Sequence, residues 1–444
     1  MFDLEANIHS WNDLLREKGK CSELDLLELE DHLRAEIEEL TNIGLTQEES
    51  FIIGIKRIGN VNTLSQEYSK INSENLWKFL MMDPTVKTRH YWQILILILF
   101  SLLMGTLIKL PDFLNLKLTD SFYFKNISLF VLPFVSLFFI LKNKMNYKLS
   151  VIILSVFLFS AIIINLYPFK APFHTAFLSG IHLSLFLWLV TGITYIGSNW
   201  KDSKGRMNFI RFTGESFIYG VLISCGIIVF CLFTMLIFSA IGIDLEKFVF
   251  NNLIIYAMSG AVMMTLYLVE AKKSIVENFA PILAKIFSPL FLITMVVFLI
   301  VMVGTGKSPI VDRNYLIGFD LMLVLVLGLV LYIISARNLH ERKNIFDYIN
   351  LSLILTALII DIIALVAILI RLQNFGITPN KIAALGENLV LLVNLIILSW
   401  QYIRYLRNKI EFIEIERSQT SYLNIYFIWM GIVAFIFPLL FMFK

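Results

Sequence analysis

The sequence predicts an all-α fold, a polytopic membrane helix bundle preceded by a small N-terminal helical domain. The 444-residue chain is 58% hydrophobic and only 16% charged, whereas soluble domains are typically about 25% charged. From residue 91 onward, long apolar runs alternate with short charged clusters. A run of roughly 20 apolar residues crosses the hydrocarbon core as a helix, because lipid cannot satisfy unpaired backbone N–H and C=O groups.

Apolar runs of spanning length predict eleven transmembrane helices. The predicted spans are 91–108, 126–141, 149–166, 176–196, 217–241, 252–269, 282–303, 315–335, 349–371, 386–403 and 421–443. The second and third are short and close together, so a re-entrant pair there would lower the count.

The distribution of basic residues predicts the orientation of these spans. With the N-terminus in the cytosol, the inner loops carry 17 Lys and Arg residues and the outer segments carry 10. Cytoplasmic loops are generally richer in Lys and Arg. We therefore expect an N-in/C-out protein with residues 91–444 as its transmembrane domain.

Residues 1–75 predict a cytosolic domain of short amphipathic helices, joined to the membrane part by a linker at 76–90. Leucine and isoleucine side chains recur at helical spacing between Leu26 and Leu40, and Thr46 with Glu49 forms a capping-box pattern. Residues 1–90 carry 17 acidic and 10 basic residues. This acidic balance argues against a nucleic-acid partner, because phosphate contacts require Lys and Arg.

Three short motifs in this domain carry a family resemblance. The segments Glu30–Leu33, Gly44–Glu49 and Ile58–Asn60 follow one another at the spacing found in permease prefix domain one and in the HAAS-type signalling modules of bacteria. The N-terminal part resembles those modules over about residues 22–72. The resemblance implies a cytosolic regulatory or docking module with a protein partner, and it implies no catalytic role.

The membrane part resembles a second family. The segments Arg211–Ser224, Glu277–Phe291 and Asn374–Ile396 are similar to an uncharacterised bacterial membrane family, catalogued as domain of unknown function 4153. The stretch from Gly376 to Lys381 is its most distinctive piece. The resemblance implies a shared fold and a bacterial cytoplasmic (inner) membrane location, and it supplies no catalytic residues.

Ionisable side chains inside apolar spans are the strongest candidates for a functional site, because each costs at least about 2.5 kcal/mol in the bilayer. Asp361 lies near the middle of its span, and Glu387 and Asn394 share one face of the next. If the two helices are antiparallel, Asp361 and Asn394 lie at about the same depth in the membrane. Arg371 then lies near Glu387 at the outer boundary. We call these four residues the predicted polar seam. Either it is an ion, proton or substrate site, or its hydrogen bonds lock helix packing.

Three further ionisable residues are weaker candidates. His182 shares a helix face with Thr175 and Ser179, and Glu215 and Glu270 lie near the cytosolic ends of their spans. A membrane histidine can relay protons, but it is more often hydrogen-bonded to a neighbouring helix. Charged residues at span ends often pair without a functional role.

The sequence predicts neither an enzyme nor a metal or cofactor site. The three cysteines have no metal-ligand spacing, and no hydrolase signature occurs. We expect a permease-like or channel-like protein for a small solute or ion, surrounded by lipid bilayer and regulated by its N-terminal domain. The alternative is a membrane-embedded sensor whose N-terminal domain docks a cytosolic partner. An intramembrane enzyme is a third, weaker hypothesis.

Overall fold

The architecture is all-helical throughout the part of the chain that the structure describes. The computed structural model describes residues 4–5, 7–8, 11, 23–42, 44–58, 84–116, 118–240, 243–271, 276–305, 313–337 and 343–444. Within these ranges there is no β-strand. The predicted fold class is therefore confirmed. The predicted helices at about 3–19 and 63–71 lie largely or wholly outside the described residues.

Thirteen helices follow one another in the described ranges, and we number them in chain order. They are α1 (Glu23–Asn42), α2 (Gln47–Ile58), α3 (Pro84–Phe113), α4 (Asp120–Lys142), α5 (Tyr147–Leu166), α6 (His174–Ile196), α7 (Ser203–Ala240), α8 (Glu246–Phe248, a π-helical turn Val249–Leu253, then Ile254–Ala271), α9 (Val276–Thr305), α10 (Arg313–Ala336), α11 (Ile345–Phe375), α12 (Pro379–Leu406) and α13 (Phe412–Gly431, a π-helical turn Ile432–Ile436, then Phe437–Leu440).

The chain divides into two compact units, Met1–Gln93 and Ile94–Lys444. In the first unit α1 packs on α2, and Leu33, Ile37 and Phe51 are buried. Thr46 and Glu49 form the predicted reciprocal cap at the start of α2. The Thr46 backbone N–H donates to Glu49 Oε2 at 3.0 Å, and the Glu49 N–H donates to Thr46 Oγ1 at 3.3 Å.

Helices α3 to α13 each contain one segment that is long and apolar enough to cross a membrane, which gives eleven spans in the described residues. This confirms the predicted count. The second and third spans are not short: they cover Asp120–Lys142 and Tyr147–Leu166. The chain is therefore a multi-pass membrane protein, and its exposed leucine, isoleucine and phenylalanine side chains face the surrounding lipid.

The fifth span differs most from its prediction, because α7 begins at Ser203, well before residue 217. The polar residues Lys204 and Arg211 lower the hydropathy of its first turns, but nothing there breaks a helix. Met207 and Phe212 in these turns are buried against neighbouring helices. Hydropathy therefore placed the start too late.

Two helices form the centre of the bundle. In the most apolar 18-residue stretch of each helix, 61% of the residues are buried in α6 and 56% in α11, against 6% in α7 and 11% in α9. Helix α6 packs against α4, α5, α7, α12 and α13, and α11 packs against α9, α10 and α12. Helix α12 packs against both α6 and α11 and so joins these two central helices.

The connection between α11 and α12 is short and strongly determined by its sequence. Gly376 has a φ of +71°, a conformation that glycine adopts without a steric penalty, and it ends α11. Thr378 then caps α12 by accepting from the Lys381 N–H at 3.4 Å, and Pro379 takes the first helical position. This tight turn makes the two helices antiparallel, as the predicted seam requires.

Candidate intramembrane site

Asp361 is the most unusual buried group in the described part of the bundle. It lies on the buried stripe of α11 with an exposed fraction of 0%. Neither of its carboxylate oxygens has a hydrogen-bond partner among the described residues. An unpaired ionised carboxylate costs several kcal/mol in such an environment.

Glu387 does not pair with Arg371, and this part of the predicted seam is corrected. The Glu387 carboxylate oxygen Oε1 contacts Nε2 of His182 on α6, and the His182 ring Nδ1 lies 2.8 Å from the Leu178 carbonyl oxygen. Because Nδ1 faces a carbonyl, it carries a proton and donates. His182, a weaker candidate in the sequence, is thus a direct partner of the seam. Arg371 instead lies over the Phe375 ring, 5.7 Å from its centroid.

Asn394 does not bond Asp361 either, although it lies on the same buried face of α12. Its Nδ2 donates to the Tyr426 hydroxyl at 2.8 Å, and its Oδ1 accepts from Gln419 Nε2 at 3.0 Å. Both partners come from α13. Asn394 therefore has the hydrogen bonds of a packing residue, whereas Asp361 does not.

Two residues that the sequence analysis did not select complete the site. Asn388 Nδ2 donates to Asp320 Oδ1 on α10 at 3.1 Å and also to the Ala384 carbonyl at 2.9 Å, which fixes the amide. Asp320 interacts electrostatically with both Asp361 and Glu387. We call His182, Asp320, Asp361, Glu387 and Asn388 the buried acid cluster.

The buried acid cluster is short of positive charge. Its three carboxyl groups come from α10, α11 and α12, and in the described residues none of them forms an ion pair with Lys or Arg. His182 is the one titratable base in contact with the cluster there. The cluster therefore contains more acidic than basic side chains.

A cavity of about 1000 Å³ adjoins the cluster through Asp320. It lies at the end of the bundle that carries the 376–378 turn and the start of α6. Phe124, Phe177 and Leu316 supply apolar lining, and Arg371 and Lys381 supply positive charge. Specific ligand sites typically occupy about 300–1000 Å³ and combine apolar walls with a few polar groups, as this cavity does.

A second, smaller cavity lies at the opposite end of the bundle, where Arg337, Asp347 and Asn350 belong to its lining. Arg337 forms a buried ion pair with Asp347 at the start of α11, and its guanidinium lies 4.7 Å from the Phe412 ring centroid. Its Nη2 donates to the Tyr405 hydroxyl at 2.9 Å. Between Asp347 and Asp361 the buried positions of α11 are mostly apolar. Of the two cavities, the one at the 376–378 turn adjoins the buried acid cluster, through Asp320.

Glu215 and Glu270, the remaining candidates, have partners of their own. Glu215 accepts from Arg211 Nε at 3.1 Å on the same helix, and Glu270 forms an ion pair with Lys142 of α4. Both lie toward the end of the bundle opposite the 376–378 turn, outside the buried acid cluster. Their contacts are those of charged residues that pair where spans end.

The described residues contain no group of three or more His, Cys, Asp or Glu side chains that could hold a metal ion. No protein-family model, no curated protein and no solved structure matches this chain. The resemblances to the prefix modules and to the uncharacterised membrane family therefore stay predictions.

Proposed function

We propose that this protein is a permease-like carrier that moves a small solute or ion across the membrane through the buried acid cluster. The observation that carries the proposal is Asp361: it is fully buried, and its carboxylate oxygens have no hydrogen-bond partner among the described residues. A carboxyl group retained only for packing would be expected to have such partners, as Asn394 has. Intramembrane acids that lack them mark ion and proton pathways.

The surroundings of Asp361 support transport in two steps, in which the site is reached first from one end of the bundle and then from the other. The cavity leads from one end of the bundle to Asp320, and Asp320 is within electrostatic range of Asp361. Toward the other end, the buried positions of α11 between Asp347 and Asp361 are mostly apolar. In the proposed carrier, this conformation gives access to the site through the cavity, and a second conformation gives access from the Arg337–Asp347 end.

The cellular setting belongs to the same proposal. We place the protein in the bacterial cytoplasmic membrane with residues 1–75 in the cytosol, on the basis of the Lys and Arg distribution. The cavity then opens to the outside. The acidic N-terminal domain acts as a regulatory module for the transport part.

Flux measurements in liposomes test this proposal. Purified protein is reconstituted with an internal pH-sensitive dye, and an inward proton gradient is imposed. Wild type should dissipate the gradient faster than protein-free liposomes, and Asp361→Asn should fall to their rate, because an amide cannot exchange the proton. Asp244→Asn is the matched control, since Asp244 is exposed in the α7–α8 connection. Equal rates for wild type and Asp361→Asn, or no flux in either, would contradict the proposal.

A sensor function is the second candidate, and the first unit supplies the observation that favours it. Helices α1 and α2 bury one apolar face and leave Asp31, Glu38 and Glu48 exposed, which is a surface suited to a basic protein partner. Deletion of residues 1–75 should then abolish capture of a cytosolic partner while proton flux continues. If the same proteins are captured with and without residues 1–75, the docking role is wrong.

A further inference from the structure

Asp320 and Lys381 line the cavity beside the buried acid cluster, and neither has an oppositely charged partner among the described residues. A second acid in the lining, Asp120, is exposed. Asp320 accepts a hydrogen bond from the neutral amide of Asn388. The Lys381 Nζ donates to the Gly376 carbonyl at 2.7 Å and lies 5.5 Å from the Phe375 ring, with no carboxylate in contact among the described residues.

The acidic side of the cavity favours a ligand rich in hydrogen-bond donors. Asn388 is 1% exposed, and both hydrogens of its amide are used by Asp320 and Ala384. Its Oδ1 has no partner within the described residues. A buried acceptor without a partner is uncommon in folded proteins. Asp320 itself lines the cavity, and an ammonium group would neutralise it and donate a hydrogen bond to it.

The basic side favours an oxyanion. Lys381 has two donors left after its bond to Gly376, and Arg371 lines the same cavity. Between the charged groups the lining is aromatic. The Phe124 and Phe177 rings are stacked, with centroids 4.8 Å apart and an interplanar angle of 3°, and Phe173 lies beside them along the cavity. An apolar side group would bury surface against these rings.

We infer that the cavity binds a zwitterionic molecule with an apolar side group, its ammonium group at Asp320 and its oxyanion at Lys381. The inference deepens the proposed function by naming the substrate class, and it rests on that function. Two sources share this chemistry. One is a free amino acid such as leucine, and the other is the headgroup of phosphatidylethanolamine, whose chains would follow the aromatic lining.

Three soluble probes of nearly equal shape test the inference by binding to full-length protein in detergent. They are L-leucine, 4-methylpentanoate, which lacks the ammonium group, and 3-methylbutylamine, which lacks the carboxylate. Leucine should bind roughly tenfold or more tightly than either truncated probe, because each truncation leaves one charged side chain without its partner. Asp320→Asn should abolish the preference over 4-methylpentanoate, and Lys381→Gln the preference over 3-methylbutylamine.

Asp244→Asn and Lys247→Gln are the matched controls, since both residues are exposed at the same end of the bundle and do not line the cavity. They should leave the leucine preference unchanged. The lipid source is tested by native mass spectrometry of the same variants. Retention of phosphatidylethanolamine by wild type, lost in Asp320→Asn and not displaced by leucine, would assign the site to the lipid headgroup.

The results that overturn the inference differ from those that overturn the proposed function. If leucine binds no better than the two truncated probes and phosphatidylethanolamine is not retained, the zwitterion site is wrong, whatever the proton flux. If leucine binds selectively but Asp361→Asn transports protons as wild type does, the site stands and the role of Asp361 in transport is wrong.

Discussion

Glu387 and the buried His182 are in contact and form the best-defined pair in the site. The His182 side chain is 4% exposed and that of Glu387 33% exposed, so Glu387 reaches toward a wetter region while His182 does not. The His182 Nδ1–H donates to Leu178, so its Nε2 has Glu387 as its partner. His182 Nε2 and Glu387 Oε1 are therefore each other's hydrogen-bond partners, and removal of one side chain leaves the other without that bond.

This dependence predicts coupling between the two positions. His182→Ala and Glu387→Gln should each lower the free energy of unfolding in detergent, and the double mutant should lose less than the sum by about 1 kcal/mol, within the range measured for membrane hydrogen bonds. His182→Ala combined with Glu270→Gln is the control and should be additive, because Glu270 pairs with Lys142. Additivity of His182 with Glu387 would contradict the contact.

The residues of the site show what a single sequence can and cannot reveal. Asp361 stands out because it is the one charged residue in a long apolar run, and Asp320 could have been found by the same criterion. The partners of Glu387 and Asn394 could not be found in this way. His182 lies 205 residues from Glu387, and Tyr426 lies on the helix after Asn394. Helical periodicity within one span contains no information on which other span lies beside it.

At the scale of whole helices the sequence was more informative. Hydropathy predicted all eleven spans, because lipid requires each crossing segment to be long, apolar and helical. The antiparallel α11–α12 hairpin followed from the short turn at Gly376. The side-by-side order of helices did not, since it depends on close contacts such as that between Gly386 and Trp429.

Packing of α12 against α13 predicts a specific sensitivity at Gly386. A Cβ atom there would come within 2.0 Å of the Trp429 ring, whereas at Gly226 it would meet nothing within 4 Å. Gly386→Ala should therefore lower the free energy of unfolding by about 1–3 kcal/mol through overpacking. Gly226→Ala should change it by no more than about 0.5 kcal/mol. Equal stability of the two variants would show that α12 and α13 do not approach this closely.

The cap of α2 predicts a pH dependence in the first unit. Hydrogen bonds from the Thr46 hydroxyl and backbone N–H hold the pKa of Glu49 below its ordinary value. Because the folded-state pKa is the lower one, this stabilisation is present above the unfolded pKa and is lost as pH falls through the folded value. Amide exchange of Gln47–Ile58 in full-length protein should therefore be faster in Glu49→Ala than in wild type at neutral pH, and equal in strongly acidic solution.

Glu48→Ala provides the control for this experiment, since Glu48 is exposed in the same helical turn and makes no reciprocal cap with Thr46. It should exchange like wild type at neutral pH. A difference between Glu49→Ala and wild type that persists unchanged into strong acid would show that the cap does not depend on the Glu49 charge.

For the whole molecule, eleven crossings place successive turns on alternate sides of the membrane. In a cysteine-free background, Leu116→Cys and Ile377→Cys should react with an impermeant maleimide added to intact cells. Tyr147→Cys and Arg407→Cys should react only after lysis. All four positions are exposed at helix ends or in turns. The reverse pattern would support the same eleven crossings with the opposite orientation. Labelling of both Ile377→Cys and Arg407→Cys in intact cells would show that α12 does not cross the membrane as described.

Asp361 lies in the middle of the bundle, and we attribute its presence there to transport and not to helix packing. The free energy of unfolding of Asp361→Asn tests this attribution most directly. The free energy of unfolding should be unchanged or higher in this variant, because it removes a buried carboxyl group that has no hydrogen-bond partner in the described residues. Asn394→Leu, on the same helix hairpin, should lose about 1–3 kcal/mol, because it breaks two hydrogen bonds. A loss in Asp361→Asn as large as that in Asn394→Leu would contradict the account.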